Sequence, residues 1–159
     1  MTNPADKVQV PRVKESNVKE VAYMDKEQAT AFLNFIKAEP LFERLYCITK
    51  VGLYYGCRRS EILGLKWSAV DFEKGSIVIN HTIVRTEAGD ICRDNVKTES
   101  SYRYYPLLDS IKGDLKELME SQKKLGIYSK DGYVFTWDNG RVYSPDYITK
   151  HFKKAVIRC

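Results

Sequence analysis

The residues of this chain best suited to chemistry lie in two short motifs about forty residues apart. The first starts at Gly56 and holds Arg58 and Glu61, followed by apolar residues at helical spacing. The second starts at Lys97, continues with hydroxyl residues and ends at Arg103. An arginine can hold a phosphate through paired hydrogen bonds, and a lysine can protonate a departing oxygen. Together the motifs indicate phosphodiester chemistry.

Each motif also has a purely structural interpretation. Arg58 at a helix N-terminus would extend a region that favours anions, and Glu61 could hold its guanidinium in place. An arginine and a glutamate one turn apart are, however, more often a surface pair of little energetic value. A lysine in a hairpin turn, such as Lys97, is usually only a solvated charge. Residue types alone leave these alternatives open.

Three helices are predicted around the first motif. Asp25 and Gln28 are typical of a capping box, and an apolar stripe follows as far as Pro40. A second helix carries Leu41, Leu45 and Ile48 and ends near Gly52 or Gly56. The third is short, over about residues 58–65, so Arg58 would open it while the neighbouring Arg59 faces elsewhere.

The second motif is predicted to lie on a small sheet. Residues 77–84, 91–96 and 102–107 are strand-like, and three adjacent antiparallel strands would place Lys97 at a hairpin tip. A helix is expected over 108–125, a short strand or extended piece over 133–137, and a last helix after Ser144 and Pro145. The sequence predicts an α+β fold that is mainly helical, with one three-stranded antiparallel sheet.

Charge and composition favour a cytoplasmic protein with an anionic partner. The net charge is +5, and residues 141–159 hold five basic residues against one acidic residue. A solvated helix face would account for the same excess. The sequence has no apolar signal region or membrane-spanning run, so we expect four reduced cysteines and, with two histidines, no structural zinc.

The two motifs together resemble the signatures of the tyrosine recombinases, the phage and transposon integrases. Gly-x-Arg-x-x-Glu continues here through Trp67 to Asp71, as in the family's first arginine box. Lys-Thr-x-x-Ser-x-Arg is the second signature, and Pro106 follows it. Val96 stands where the family often has a proline, which affects turn stiffness rather than chemistry.

The resemblance implies a role for each matching residue. Arg58 and Lys97 would be catalytic, with Lys97 protonating the 5′-oxygen of the cleaved strand, and Glu61 would support Arg58. Further residues would contact the DNA backbone: Thr98, Ser101, Arg103, Lys150, Lys153 and Lys154. No metal or cofactor is implied.

The resemblance also implies a domain arrangement and a function. Residues 21–159 would be the first two-thirds of a recombinase catalytic domain, and 1–20 a linker from a core-binding domain. The function would be site-specific recombination of double-stranded DNA at attachment sites, within an assembly of recombinase protomers near the nucleoid. Nothing in the sequence indicates the target sequence, the preference for integration or excision, or the oligomeric state.

The family's remaining catalytic parts have no match in these 159 residues. His81 and His151 lack the following arginine of a His-x-x-Arg box, and none of the eleven tyrosines has the context of the nucleophile. We therefore assign no nucleophile, interpret the tyrosines as core or interface aromatics, and expect this polypeptide to bind DNA weakly without cleaving it. The alternatives are a non-catalytic DNA-binding remnant or regulatory module, and a helical protein-interaction module.

Overall fold

A computed structural model describes residues 23–86, 89–94 and 102–159 of the chain. This part of the chain is mainly helical, as predicted. Its five α-helices, in chain order, are α1 (Lys26–Ala38), α2 (Glu43–Tyr55), α3 (Arg59–Leu63), α4 (Asp109–Lys124) and α5 (Pro145–Arg158). A 3₁₀ turn over Trp67–Ala69 follows α3.

The helix ends follow the local signals of the sequence. The Asp25 side chain accepts a 2.8 Å hydrogen bond from the Gln28 amide, and Gln28 Oε1 accepts one of 3.1 Å from the Asp25 amide. This capping box starts α1, as predicted. Gly56 ends α2 with φ of 60°, a left-handed conformation that glycine adopts without a steric penalty. The turn at Gly56 brings the chain directly to Arg58.

The predicted three-stranded antiparallel sheet is present, but its strands differ from the prediction. In the described ranges the strands are β1 (Val70–Asp71), β2 (Ser76–Ile79), β3 (His81–Thr86), β4 (Gly89–Asp94) and β5 (Arg103–Pro106). The sheet has the order β1-β2-β5, while β3 and β4 form a separate two-stranded hairpin. The prediction of one sheet containing residues 77–84, 91–96 and 102–107 was therefore wrong.

The division falls at Asn80, between β2 and β3. Ile79 at the end of β2 pairs with Arg103 of β5, whereas His81 at the start of β3 pairs with Asp94 of β4. The β-branched stretch thus pairs with two different partner strands in succession. Local residue pattern cannot reveal such a change of partner, because it depends on where the rest of the chain returns.

One core joins the helices and the sheet. Its fully buried side chains are Phe32, Ile36, Phe42, Leu45, Val51, Leu63, Ile77, Ile111, Leu115 and Val134. Residues 133–137 form isolated bridges instead of a regular strand, with Lys66 pairing with Tyr133 and Thr136 with Val142. Within the described residues, every helix is too short or too polar to span a membrane.

Candidate functional site

Arg58 stands at the start of α3 with its guanidinium in solvent. Its side chain is 81% exposed, whereas the side chain of Glu61 is only 5% exposed. The Arg58 amide donates a 2.7 Å hydrogen bond to Glu61 Oε2, and its guanidinium lies 3.3 Å from Oε1. The pair predicted from the first motif is formed, with a buried carboxylate behind an open cation. Since α3 has five residues, the side chains rather than a helix dipole set the charge here.

The second arginine of the site is Arg103, which β5 brings to the same carboxylate. Its guanidinium lies 2.5 Å from Glu61 Oε2 and is 39% exposed. Burial alone would raise the pKa of Glu61, but the Arg58 amide and the Arg103 guanidinium hold it below its ordinary value. Hydrogen bonding to Glu61 in turn raises the pKa of Arg103. The site therefore holds two cations around one ionised, buried carboxylate.

Sequence reasoning did not find this pairing of Arg103 with Glu61. It assigned Arg103 to the turn and to DNA contact, and it gave Glu61 only Arg58 as a partner. The apolar residues of the short helix were the sequence feature that could have indicated it. They predict a buried face, and an acidic side chain on a buried face needs a cation from another element.

Aromatic contacts fix β5 beside the end of α2. The ring of Tyr55 lies 5.1 Å from that of Tyr105, measured between centroids. The Tyr55 hydroxyl donates a 2.9 Å hydrogen bond to the Pro106 carbonyl and accepts one of 3.3 Å from the Leu108 amide. Tyr55 is the last residue of α2, so these bonds hold β5 close to the turn that leads to Arg58.

Gly64 fixes the other side of α3. A Cβ at this position would lie 2.6 Å from the carbonyl oxygen of His81 and 2.8 Å from Thr82 Cα. The end of α3 therefore packs directly on the backbone of β3. The position requires glycine because of space and not because of backbone conformation, since its φ is −76°.

Arg59 points away from the cluster of Arg58, Glu61 and Arg103, as predicted. Its guanidinium donates to the Thr149 hydroxyl on α5. Three predicted backbone contacts, Lys150, Lys153 and Lys154, lie exposed on the same helix. The structure does not bring these lysines into contact with Arg58.

Three predicted site residues of the second motif, Lys97, Thr98 and Ser101, lie outside the described residues. The described strands end on either side of them. Asp94 pairs with His81, and Arg103 pairs with Ile79. The segment that carries Lys97 therefore leaves and rejoins the described chain next to Asn80.

Both histidines make contacts with residues close to them in sequence. His81 lies in β3, half-buried, with Nδ1 2.6 Å from Asn80 Oδ1. His151 lies on α5 against Tyr147, with ring centroids 3.9 Å apart, and its Nδ1 is 2.9 Å from the Tyr147 carbonyl. That Nδ1 carries the proton, because a carbonyl only accepts. Among the described residues, no three His, Cys, Asp or Glu side chains are grouped as metal ligands.

The tyrosines follow the prediction only in part. Tyr55 and Tyr143 are buried in the core, but Tyr54 is 52% exposed and Tyr104 69% exposed. Tyr104 faces solvent because side chains alternate along β5 and Tyr105 takes the inner face. The core alternative of the prediction was therefore wrong for Tyr54 and Tyr104, and also for Tyr23, which is 87% exposed, while an interface role for these tyrosines stays a prediction.

Two sets of buried hydrogen bonds, which the sequence did not reveal, connect the helices. Trp67 Nε1 donates a 2.7 Å hydrogen bond to Gln122 Oε1, and the Gln122 amide donates to the Val134 carbonyl at 2.9 Å. Lys50, 8% exposed, bonds to Asp114 at 2.6 Å and to the Ser110 carbonyl at 2.8 Å. These bonds join both α2 and the segment after α3 to α4.

An apolar groove of about 500 Å³ lies between α2, α3 and α5. Its apolar walls come from Ile48, Leu53, Ile62, Ile148 and Phe152. Leu53 and Phe152 are 45% and 37% exposed, and Ile157 near the end of α5 is 84% exposed. Its described lining includes three ionisable side chains, those of Cys57, Arg59 and Lys153.

The sequence matches the phage integrase family over residues 22–159. A "Tyrosine recombinase XerC-like" protein of Caldanaerobacter subterraneus is 31% identical over 131 residues, covering 72% of this chain and 34% of the relative. The "Transposase from transposon Tn916" of Enterococcus faecalis is 29% identical, covering 82% and 32%. The "Integrase" of Staphylococcus phage L54a is 26% identical, covering 98% and 47%. The chain spans about a third to a half of the length of these curated relatives.

Solved structures have the same fold. The Tn1549 transposon integrase in complex with a circular intermediate DNA matches with a TM-score of 0.78 at 21% identity, covering 96% of this chain and 49% of the integrase. The XerA recombinase matches with a TM-score of 0.60 at 16% identity, covering 92% and 44%. The described fold is therefore that of part of an integrase catalytic domain.

Proposed function

Because the chain belongs to the phage integrase family, we propose that it forms part of a site-specific DNA recombinase and holds the phosphate at which DNA is cut. The observation that carries the proposal is the open guanidinium of Arg58 anchored by the buried carboxylate of Glu61. An anchored cation that remains in solvent can bind an anion without first being ordered. A simple surface pair would expose both partners.

The chemistry follows from these groups. Arg58 donates hydrogen bonds to the non-bridging oxygens of the phosphate, whose negative charge grows in the five-coordinate transition state. Glu61 orients that guanidinium. Lys97 gives a proton to the departing 5′-oxygen, which is a poor leaving group as an alkoxide. In the full enzyme a tyrosine attacks phosphorus and forms a 3′-phosphotyrosyl link.

The described strands support the role of Lys97. Lys97 follows Asp94 by three positions in the sequence, so chain length alone keeps their Cα atoms within about 11 Å of each other. Asp94 pairs with His81, whose backbone packs against the end of α3. The segment after Lys97 returns to Arg103, whose guanidinium contacts Glu61. Lys97 is thereby tethered on both sides to the elements that carry Arg58.

Contacts to the DNA backbone complete the proposal. The proposed phosphate contacts are the exposed lysines of α5 (Lys150, Lys153 and Lys154) and the hydroxyls of Thr98 and Ser101. The second motif predicts a phosphate contact for Arg103 as well. The partners of the full protein would be double-stranded DNA at attachment sites and further recombinase protomers, in the cytoplasm at the nucleoid. These 159 residues alone would bind DNA weakly and not cleave it, because they carry no matched nucleophile.

Duplex binding as a function of salt tests the proposal. Fluorescence anisotropy with a 30-bp labelled duplex should show that log K falls linearly with log salt, and the slope should decrease by about 0.9 for each phosphate-contacting lysine changed to alanine. Arg58→Ala should weaken binding by about tenfold, more than Lys74→Ala, which removes an exposed cation from the β1–β2 turn.

Each alternative function predicts a different result. A DNA-binding remnant predicts equal losses for Arg58→Ala and Lys74→Ala. A protein-interaction module predicts no salt-dependent retention of DNA at all. Covalent attachment of this polypeptide to a suicide substrate would refute the proposal that it cannot cleave DNA alone.

A further inference from the structure

We propose that Arg103 is a positioning residue: it neutralises the buried carboxylate of Glu61, and that carboxylate then holds Arg58 in the orientation that receives phosphate. The inference rests on the proposed function only in taking Arg58 as the phosphate ligand. It gives Arg103 a role within the protein, in place of the direct DNA contact that its position in the second motif predicted.

The division of the two carboxylate oxygens is the first observation. Glu61 Oε2 receives the Arg58 amide at 2.7 Å and the Arg103 guanidinium at 2.5 Å. Oε1 is left for the Arg58 guanidinium at 3.3 Å. Arg103 therefore occupies the oxygen that also anchors the backbone of Arg58, and Arg58 keeps a looser side-chain contact from which it can reach a ligand.

Side-chain exposure also distinguishes the two arginines, because the one closer to the carboxylate is the less exposed. Glu61 is 5% exposed, Arg103 39% and Arg58 81%. Water screens an ion pair that involves a group as open as Arg58, so that pair alone cannot compensate for burying a carboxylate. Arg103 is the less exposed and closer cation. It supplies most of the compensation, which leaves the charge of Arg58 available for an anion.

The net charge of the cluster agrees with this division. Two guanidiniums around one carboxylate leave a single positive charge, and that charge lies on the exposed Arg58. Among the residues that the structure describes, the Cys57 thiol also interacts with the carboxylate, and Tyr105 lies beside Arg103. Burial raises the pKa of Cys57, so this thiol stays neutral and does not compete for either arginine.

The strand holds Arg103 independently of DNA. Arg103 pairs with Ile79 in the β2–β5 ladder, and Tyr105, two residues on, packs against Tyr55. Because the Tyr55 hydroxyl also bonds to Pro106, the backbone of β5 is fixed to α2. A residue on a rigid strand suits a positioning role, since its geometry does not depend on ligand binding.

The first arm of the test measures Glu61 without DNA. We would follow the carboxyl ¹³C signal of Glu61 against pH by NMR, in the unaltered chain and in Arg103→Gln. Without the Arg103 cation the midpoint of the Glu61 titration should move upward by at least one pH unit. The NMR signal of Arg58 Nε–H should change over the same pH range, because Arg58 loses its charged partner when Glu61 is protonated. Arg103→Lys should restore most of the original titration, because it retains the charge.

The second arm is a double-mutant cycle on duplex binding. Arg103→Gln should weaken binding about fivefold in the unaltered chain but less than twofold in an Arg58→Ala background. A direct phosphate contact would instead give the same loss in both backgrounds and lower the salt slope in both. Equal losses, or an unchanged Glu61 titration in Arg103→Gln, would overturn the inference.

The two arms separate this inference from the proposed function. If the unaltered chain fails to bind DNA while the Glu61 titration moves as expected, the function is refuted and the coupling of Arg103 to Glu61 stands. If Arg103→Gln does not fold, Arg103→Lys and Arg103→Met provide the same comparison, and a titration equal in those two variants would overturn the inference.

Discussion

Gly64 lies against the carbonyl of His81 so closely that a single added carbon would sit 2.6 Å from that oxygen. The contact joins the end of α3 to β3 and sets the depth at which Glu61 lies. The same short helix carries Glu61, and Arg58 is its N-cap residue.

We expect Gly64→Ala to destabilise the fold by about 2–3 kcal/mol, since backbone atoms must move to admit the methyl group. Urea unfolding followed by circular dichroism measures the change. Gly113→Ala is the matched control, because Gly113 lies within α4 with open space around its Cα. That control should be stabilising by about 0.5–1 kcal/mol. Equal effects of the two substitutions would contradict the close contact.

Comparison with Glu61→Gln should show that the Glu61 carboxylate contributes to the free energy of unfolding in a pH-dependent way. The pKa of Glu61 is lowered in the folded chain, so its ionised form stabilises the fold above the ordinary value of 4.5. That contribution is lost as the pH falls from 4.5 through the lowered pKa. The unfolding free energies of the two proteins should therefore differ by about 1–2 kcal/mol at pH 7 and converge towards pH 3.

The control for this pH series is Glu120→Gln, which removes a solvent-exposed carboxylate paired with Lys123. Its effect should stay within about 0.5 kcal/mol at every pH. A difference between the unaltered chain and Glu61→Gln that persists unchanged at pH 3 would contradict the assignment of the effect to carboxylate ionisation.

Trp67 and Gln122 should be energetically coupled. Each of Trp67→Phe and Gln122→Leu leaves a buried polar group without its partner, at a cost of about 1–3 kcal/mol for that group. The double variant loses the bond only once, so it should cost at least about 1 kcal/mol less than the two single changes together. Chemical unfolding of all four proteins gives the coupling, and strict additivity would show that the bond does not form.

The half-buried thiol of Cys47 should react more slowly than the exposed thiol of Cys159. Burial raises the pKa of the Cys47 thiol to about 12, whereas Cys159 is exposed. At pH 8 little of Cys47 is thiolate, and we expect it to react with iodoacetamide about a thousandfold more slowly than Cys159, with Cys57 between them. Peptide-resolved mass spectrometry measures the rates. In urea all three should react alike, and fast labelling of Cys47 in the folded chain would contradict the raised pKa of its thiol.

The sequence alone determined the parts of the molecule that depend on near neighbours along the chain. Asp25 with Gln28, and Gly56, mark helix ends, because a capping box and a left-handed turn are satisfied within a few residues. Pro145 is the first residue of α5, although the Ser144 side chain makes no capping hydrogen bond. The spacing of Arg58 and Glu61 likewise predicted their pairing one helical turn apart, and the motif around them indicated the family.

Only the tertiary structure decided which strands pair and which cation neutralises Glu61. The stretch around Asn80 is equally strand-like on both sides, so no local preference reveals that β2 takes β5 and β3 takes β4. That same choice of partners carries Arg103 to the buried carboxylate. Pairing across the sheet and charge neutralisation in the interior depend on residues distant in sequence, and their free energies appear only once the chain has closed around the site.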